Sequence, residues 1–314
     1  MNTGLDQYMD IFKDAVEDSA AKITKSFEKI LIEVIILFMV IPRKINFTQM
    51  GRYGSHVEQT YRNAFGLKKS KSIDWLKLNV SLAKRFFGKQ GRWAIAIDPS
   101  YISKAGKKTP HIGRFWSGCA QSVKHGLEIM GIGLIDIDAK DCMMLKAHQS
   151  LSNKELSLRN KTMVDFYISV IKRYPKALKC KVRLVIWQMP NGKKKLFFST
   201  DTSLSGEEVL LYYRTRFQIE FCFRDAKGYT GLMDCQARDK WKLDFAFNAS
   251  FTSLNVAKVT MKEMGMEYSM SSFKSLMTNI YLVKRIFKAS GYTPNRTLIS
   301  KIFKDLSCLQ RIAA

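Results

Sequence analysis

The segment that begins at Trp93 most constrains the fold, because the hydrophobic pattern changes there from helical to extended. Residues 93–100 (WAIAIDPS) form an apolar run that carries an acidic residue, Asp98, near its end. Such a run is typical of a buried strand. Residues 126–138 and 141–151 continue as two apolar strands joined by a tight acidic turn. Three consecutive strands with these connections predict an antiparallel β-meander.

Helical patterns surround these strands. An amphipathic helix is predicted over residues 158–174 and ends before Pro175. Residues 179–189 and 193–201 predict a hairpin around a Pro-Asn-Gly turn. A further helix is predicted to begin at Ser205 or Gly206. The order of elements therefore predicts an α/β fold.

The 314 residues carry a formal net charge of +25. A charge of this size favours a polyanionic partner, and nucleic acid is the usual one. A basic protein that is only soluble, or one that touches anionic membrane, is the alternative. We divide the chain into a basic helical DNA-binding region (1–91), a catalytic core (92–238) and a basic helical tail (239–314). Without a helix-turn-helix pattern, residues 1–91 fit a helical cap on the core nearly as well.

The cysteines and the apolar run at residues 30–41 indicate the cellular compartment of the protein. Six cysteines occur without a C-x-x-C pair, which indicates reduced core thiols and no zinc site. The apolar run at residues 30–41 is too short to span a bilayer and contains Glu33. We therefore expect a buried helix there, no membrane contact, and a cytoplasmic, nucleoid-associated protein.

Four polar residues recur at a helical spacing within the stretch YRTRFQIEFCFRDAK. Their offsets of 0, 3, 7 and 14 place them within about 60° of one another on an α-helix. A solvated face with a few ion pairs is the simpler interpretation. Apolar neighbours favour a largely buried helix instead, in which a glutamate beside cations needs metal or phosphate as a partner. The four residues are Tyr213, Arg216, Glu220 and Lys227.

Asp98 on the first strand and Glu220 on this helix could face each other across the sheet. Two carboxylates at one edge can share divalent metal ions, which clamp the oxygens of a phosphoryl displacement. Magnesium suits such a site because it needs only one or two carboxylates and keeps its waters and substrate oxygens. Cations that would hold a DNA strand around the site are Lys104, Lys107, Lys108, Arg216 and Lys227.

The Tyr213/Arg216/Glu220/Lys227 spacing resembles the Tyr–Arg–Glu–Lys signature of DDE transposases from bacterial insertion sequences. The segment that starts at Asp98, DPSYISKAGKKTPHIGRFWSG, resembles the first-aspartate segment of the same family. The resemblance implies an RNase H-like core that cuts double-stranded DNA at transposon ends and joins it to a target with Mg²⁺ or Mn²⁺, as a homodimer on DNA. Asp98 would be the first metal ligand and Glu220 the last. Tyr213, Arg216 and Lys227 would contact phosphates.

The chain departs from the family where a second catalytic aspartate is expected. No apolar strand ending in aspartate follows the helix at 158–174, and we interpret this as an internal deletion, with the core shortened between residues 175 and 178. We expect residues 182–187 to take the missing strand's place beside residues 95–98. No other acid earns a catalytic assignment, since the remaining acids suit turn, cap or surface positions: Asp136, Asp138, Asp141, Asp165 and Asp201.

Two functions stay open at this point. The chain is a magnesium-dependent transposase, or it is a catalytically dead remnant that binds transposon ends or an intact transposase and inhibits it. A structural DNA-binding protein would require both motif matches to be accidental. Three aromatic residues could stack on bases of a nicked or flipped end, although core packing is the stronger interpretation: Phe115, Trp116 and Trp187.

Overall fold

The computed structural model describes residues 3–19, 23–88, 91–171, 183–188, 192, 194–199, 201–295, 297–298 and 301–302. The helices are α1 Gly4–Asp18, α2 Lys25–Val40, α3 Phe47–Tyr53, α4 Glu58–Ala64, α5 Leu67–Ser70, α6 Trp75–Phe87, α7 Asn153–Ser157, α8 Met163–Ile171, α9 Gly206–Thr215, α10 Gln218–Tyr229, α11 Lys240–Glu263 and α12 Met270–Ser290. The strands are β1 Trp93–Ser103, β2 Gly113–Ser117, β3 Ser122–Asp136, β4 Asp141–Gln149, β5 Arg183–Gln188 and β6 Lys194–Ser199. The predicted α/β class is confirmed.

The main sheet is antiparallel and is built around β3. β1 pairs with one edge of β3 and β4 with the other, so the three strands read from the sequence form the predicted meander. β2, which the apolar pattern did not indicate, pairs with the first part of β3. Helix α10 packs on this sheet, since a Cβ at Gly131 or Gly133 would meet the side chain of Phe223 or Ile219.

The predicted position of residues 182–187 beside the first strand is wrong. In the ladders of the described residues, β1 pairs only with β3, and β5 pairs with β6 in a separate two-stranded sheet. The predicted hairpin is thus confirmed, and its short connection explains the result, because pairing with the adjacent strand costs less loop entropy than pairing with a distant one. Residues 172–182, which include the predicted shortening between 175 and 178, lie outside the described residues.

Helix α11 closes the opposite edge of the sheet, at β4. The Asn248 carboxamide accepts from Ala147 N at 2.9 Å and donates to Ala147 O at 3.3 Å. Asn255 makes the same pair of bonds to Met144 N and O, at 3.2 and 2.6 Å. Asn79 of α6 donates to Leu145 O at 3.1 Å. Side-chain amides therefore satisfy backbone groups that a neighbouring strand would otherwise take.

One hydrophobic core joins helices α1–α4, α6, α8 and α10–α12 with strands β1, β3 and β4. It crosses both boundaries proposed from the sequence, because α11 packs against β4, α6, α2 and α1. The apolar run at residues 30–41 lies within buried helix α2, as expected. No helix among the described residues is long and apolar enough to cross a membrane. The predicted tail, residues 239–314, thus contributes the central helix α11 to the core. The same segment includes the basic end of α12, which is exposed.

The carboxyl group of Asp244, in the first turns of α11, should make stability depend on pH. Burial raises its pKa to about 6 from an ordinary value near 3.8, although Lys146 and Lys240 act in the opposite direction. A raised folded-state pKa means that folding favours the protonated acid, so stability falls as pH rises from about 4 to about 6. In an Asp244→Asn variant this fall should disappear, leaving the variant about 3 kcal/mol more stable than the parent chain at pH 7. Urea unfolding at several pH values gives the slope of the unfolding free energy against pH for the parent chain and for the variant. Equal slopes would contradict the assignment of this pH dependence to Asp244.

Candidate functional site

Asp98 lies on β1 opposite Gly131 of β3. Its side chain is 20% exposed and, by strand alternation, shares a face with Ala96 and with the two glycines that α10 approaches. The missing side chains at these glycines let the helix lie close to the sheet. The sequence therefore places a half-buried carboxylate at the junction of β1 and α10.

The guanidinium group of Arg216 bridges the two carboxylates singled out from the sequence. Its Nη1 donates to Asp98 Oδ1, and its Nη2 lies 3.4 Å from Glu220 Oε1. The guanidinium also lies over the ring of Tyr213, 5.5 Å from its centroid. The two separate sequence segments thus meet at one cation, and the ion-pair interpretation of the stripe is borne out for Arg216 and Glu220.

The single continuous helix expected for the stripe is wrong. α9 ends at Thr215 and α10 begins at Gln218, and between them Ile219 N and Glu220 N bond to the carbonyls of Arg216 and Phe217 with i→i+3 spacing. Arg216 and Phe217 keep right-handed helical dihedral angles, so a short 3₁₀ turn interrupts the helix, and Arg216 contacts Asp98 from this turn. The expectation that this helix is largely buried is also wrong at Glu220, because the Glu220 side chain is 57% exposed.

The electrostatic environment of Asp98 disfavours its charge. Burial raises the pKa of this carboxyl above its ordinary value, and Glu220 and Glu128 add to the rise, while Arg216 opposes it. Glu128 was not singled out from the sequence. It is buried on β3 opposite Tyr101, and it accepts a 2.6 Å hydrogen bond from the hydroxyl of Tyr167. Its signal was a lone charge within the apolar run GLEIMGIGL.

The other acids considered from the sequence have structural roles. Asp136 accepts from the backbone of the β3–β4 turn, and Asp165 caps α8 through Thr162. Asp201 accepts from Ser203, and Asp138 pairs with Arg92. Asp141 pairs with the buried ammonium of Lys258. These contacts confirm the turn, cap and surface interpretations.

The residues fit one divalent cation better than two. Among the described residues, no group of three or more His, Cys, Asp or Glu side chains could hold a metal ion. Asp98 and Glu220 are two oxygen donors, which suit one Mg²⁺ that keeps its waters and substrate oxygens. The Arg216 guanidinium takes the position between them, so a bound cation would have to displace it.

The candidate DNA contacts lie in different environments. Tyr213 is 48% exposed, and Lys107 and Lys108 are exposed in the loop after β1. Lys227 is half-buried, and burial lowers its pKa. Lys104 is buried and donates to Cys235 O at 2.5 Å. We therefore do not count Lys104 among the candidate DNA contacts.

The aromatic and cysteine side chains follow the sequence interpretation in part. Phe115 is buried in accordance with core packing, whereas Trp116 on β2 is 56% exposed. The Trp187 side chain lies outside the described part of the structure. Cys142 and Cys222 are buried thiols as expected, but Cys119 is exposed.

Comparisons with known proteins leave the family undetermined. No protein-family model matches the chain. No curated protein matches it either. Among solved structures it is similar to one described as the cryo-EM structure of the piggyBac transposase synaptic complex with hairpin DNA, with a TM-score of 0.42 and 10% identity over 98% of this chain and 85% of that one. A TM-score and identity this low do not establish membership of a family, and the insertion-sequence family stays a hypothesis.

Proposed function

We propose that this chain is a transposase-like DNA-binding protein whose core is of the RNase H-like type and whose metal site is incomplete. The observation that supports it is the meeting of Asp98, Arg216 and Glu220. Asp98 and Arg216 are 118 residues apart in the chain and belong to different motif segments, yet they share an ion pair. A solvated helix face would not require a partner on a strand of the sheet.

DNA would bind over the surface that carries Arg216. The exposed cations Lys107 and Lys108 continue the charge beside β1, and exposed Trp116 offers a ring for stacking on a base. Tyr213 and Lys227 would add contacts to phosphates. Double-stranded transposon ends and target DNA are the proposed partners, and a homodimer on DNA is the proposed assembly, within a bacterial cytoplasm.

The incomplete site favours binding over cleavage. Asp98 and Glu220 would hold a single Mg²⁺ or Mn²⁺, which supplies Lewis-acid stabilisation of a phosphate oxygen when bound. The positive charge of Arg216 competes for the same carboxylates. We therefore expect a remnant that occupies transposon ends, or pairs with an intact relative, and inhibits it.

A working transposase is the second candidate. One observation favours it: both carboxylates contact the same guanidinium, so rotation of the exposed Glu220 side chain would bring its oxygens toward a cation held by Asp98. In that case a phosphate of the DNA would take Arg216 away from the carboxylates as the strand binds. The two candidates differ in whether a strand is cut.

DNA binding should be tight at low salt and should weaken steeply as salt rises, because phosphate contacts release counterions. A Lys107→Ala/Lys108→Ala variant should lose about tenfold in affinity for linear double-stranded DNA, and its plot of log affinity against log salt should be shallower. Gel shifts over a range of salt concentrations measure both quantities. Lys29→Ala/Lys288→Ala, which removes two exposed lysines from α2 and α12, is the matched control, and an equal loss of affinity in that variant would indicate that net charge alone determines binding.

Cleavage separates the two candidates. Supercoiled plasmid incubated with the chain and Mg²⁺ or Mn²⁺ should stay uncut if the remnant interpretation is right. Nicking that Glu220→Gln and Asp98→Asn abolish, while Glu267→Gln leaves it unchanged, would establish the working transposase. Glu267 is exposed and has no ion pair with a described residue, so it controls for loss of one negative charge.

A further inference from the structure

Strand β1 lies at an edge of the main sheet, although its sequence is typical of a central strand. Residues 93–97, WAIAI, are apolar at every position, as expected for a strand that is buried on both faces. In the described ladders, however, β1 pairs with β3 alone. An apolar strand at an open edge is a ready template for pairing with another chain. The position of β1 therefore indicates a partner strand outside the single chain.

Two large apolar side chains of β1 are exposed. Trp93 is 38% exposed and Ile95 is 57% exposed, and Ile97 is half-buried. The three residues alternate along the strand and so share one face of the sheet. Native edge strands usually carry a lysine, a proline or an inward-pointing charge that prevents pairing with another chain, and residues 93–97 carry none of these. The edge is thus unprotected over this run.

The backbone groups of the same three residues point away from β3. Ile137 N donates to Arg92 O at 2.9 Å, in the register of the β1–β3 ladder. Because antiparallel strands bond through alternate residues, the even-numbered residues of β1 bond to β3 and the odd-numbered residues face the other edge. Outside the ladder, no hydrogen bond between described residues uses the N–H and C=O groups of Trp93, Ile95 and Ile97. These groups are therefore available to a second strand.

Pro99 limits the open edge. It is the next residue of this outward-facing row, and it has no N–H group to donate. Proline is tolerated on an edge strand where the missing donor would face outward, which agrees with the direction derived for the row. Arg92 and Asp98 bound the apolar run with opposite charges. The edge thus offers a short row of backbone donors and acceptors with one charge at each end.

An antiparallel pair of two such edges, centred on Ile95, is complementary to itself. Ile95 then lies opposite Ile95 of the second copy, Trp93 lies opposite Ile97, and Arg92 lies opposite Asp98. The outward-facing rows of both copies supply about six backbone hydrogen bonds. Opposite charges meet at both ends of the pair and apolar side chains meet between them. Cross-strand pairs of these kinds stabilise antiparallel sheets.

We propose that two copies of this chain form a dimer by pairing their β1 edges antiparallel, with Ile95 at the two-fold axis. A register centred on Ile97 would place Pro99 opposite Ile95 and lose one donor at each end of the pair. The complementary charges favour a second copy over an unrelated peptide, and an apolar run without cations does not suit DNA. The dimer forms without DNA and therefore goes beyond the homodimer on DNA proposed above.

Sedimentation velocity of the full chain without DNA tests the dimer. A single pair of strands is smaller than a standard interface, so we expect a dissociation constant of about 10 µM. Each copy carries a formal net charge of +25, and the measurement therefore uses about 0.5 M salt, at which the repulsion between copies is screened. A chain that stays monomeric at about 100 µM, tenfold above the expected constant, would overturn the proposal.

The dimer and the proposed function can fail separately. Failure of the DNA gel shifts would leave the sedimentation result intact, because that measurement contains no DNA. A monomeric chain that still shifts DNA would refute the dimer alone.

Ile95→Lys should weaken the dimer about a hundredfold, because two ammonium groups would then meet at the two-fold axis. The Ile95 side chain is exposed, so the monomer should stay folded, and circular dichroism checks this. Val123→Lys is the matched control. Val123 is 55% exposed on the part of β3 that pairs with β2, and the substitution adds the same charge. Equal weakening in both variants would mean that net charge determines association, against the proposal.

Cross-linking tests the register and does not depend on the lysine variant. The background is Cys119→Ser, which removes the exposed cysteine of the described chain. Ile95→Cys should form a disulfide between two copies under oxygen with a copper catalyst, because directly opposed Cα atoms are about 5.5 Å apart. Ile97→Cys should not, since its two copies would lie about 14 Å apart along the strands. Equal cross-linking of the two variants, or none from Ile95→Cys, would contradict the register centred on Ile95.

Discussion

Replacing Arg216 with methionine should raise the affinity of the Asp98–Glu220 pair for Mn²⁺ about tenfold. A guanidinium about 4 Å from a carboxylate contributes up to about 4 kcal/mol at an effective dielectric constant of 20. The Glu220 side chain is 57% exposed and that of Asp98 is 20% exposed, so solvent screens the interaction of Arg216 with the pair. Screening reduces the interaction free energy to about 1.4 kcal/mol, which corresponds to a tenfold change in Mn²⁺ affinity. Titration of free Mn²⁺ by electron paramagnetic resonance measures the change.

The same substitution should weaken DNA binding, because Arg216 is also a proposed phosphate contact. Arg214→Met is the matched control, since Arg214 is exposed two residues earlier and has no ion pair with a described residue. Adding Glu220→Gln to Arg216→Met should remove the gain in Mn²⁺ affinity. If Arg216→Met binds Mn²⁺ no better than the parent chain, Arg216 is a structural ion pair and does not compete with the cation.

Replacing Asn255 with leucine should lower the free energy of unfolding by about 3 kcal/mol. The Asn255 side chain is fully buried, and leucine keeps its branched shape but is larger, so some overpacking adds to the loss of stability. The substitution removes bonds to Met144 N, Met144 O and Asn79 Oδ1. It leaves those three buried groups unpaired, at about 1–3 kcal/mol each before relaxation. Urea unfolding measures the loss.

An exposed asparagine provides the comparison for this result. Asn63 accepts a 2.8 Å bond from Gln59 on the surface of α4, and Asn63→Leu should change the free energy of unfolding by less than about 0.5 kcal/mol. Equal small effects of the two substitutions would mean that α11 does not close the β4 edge. A lower m value for Asn255→Leu would show that part of the chain is already unfolded before the transition.

Local structure was predictable because it depends on neighbours in sequence. The start of α9 at Ser205 follows from a side chain that accepts from the backbone N–H three residues later, at Glu208. The strands around β3 follow from their apolar runs. Short β2 was not predicted, since Gly113–Ser117 lacks an extended apolar pattern and is ordered by pairing with β3.

The candidate site was predictable in its residues and only partly in its arrangement. Asp98, Arg216 and Glu220 were selected by spacing and resemblance, but the contact of Arg216 with both carboxylates depends on the packing of α10 beside β1. No local pattern encodes the turn between α9 and α10, because residues 213–220 have helical periodicity throughout. The ion pair between Arg216 and Asp98 joins residues 118 positions apart, so it forms only in the packed structure.

The sequence by itself determined the three longer strands of the main sheet, the hairpin, the start of α9, the large positive charge and the two carboxylates, since each depends on residue chemistry and short-range periodicity. Only the tertiary structure decided that Arg216 contacts Asp98 of β1 and that asparagines of α11 close the β4 edge. The physical reason is loop closure. Contacts between residues tens to hundreds of positions apart form only where the packed core offsets the entropy of bringing them together.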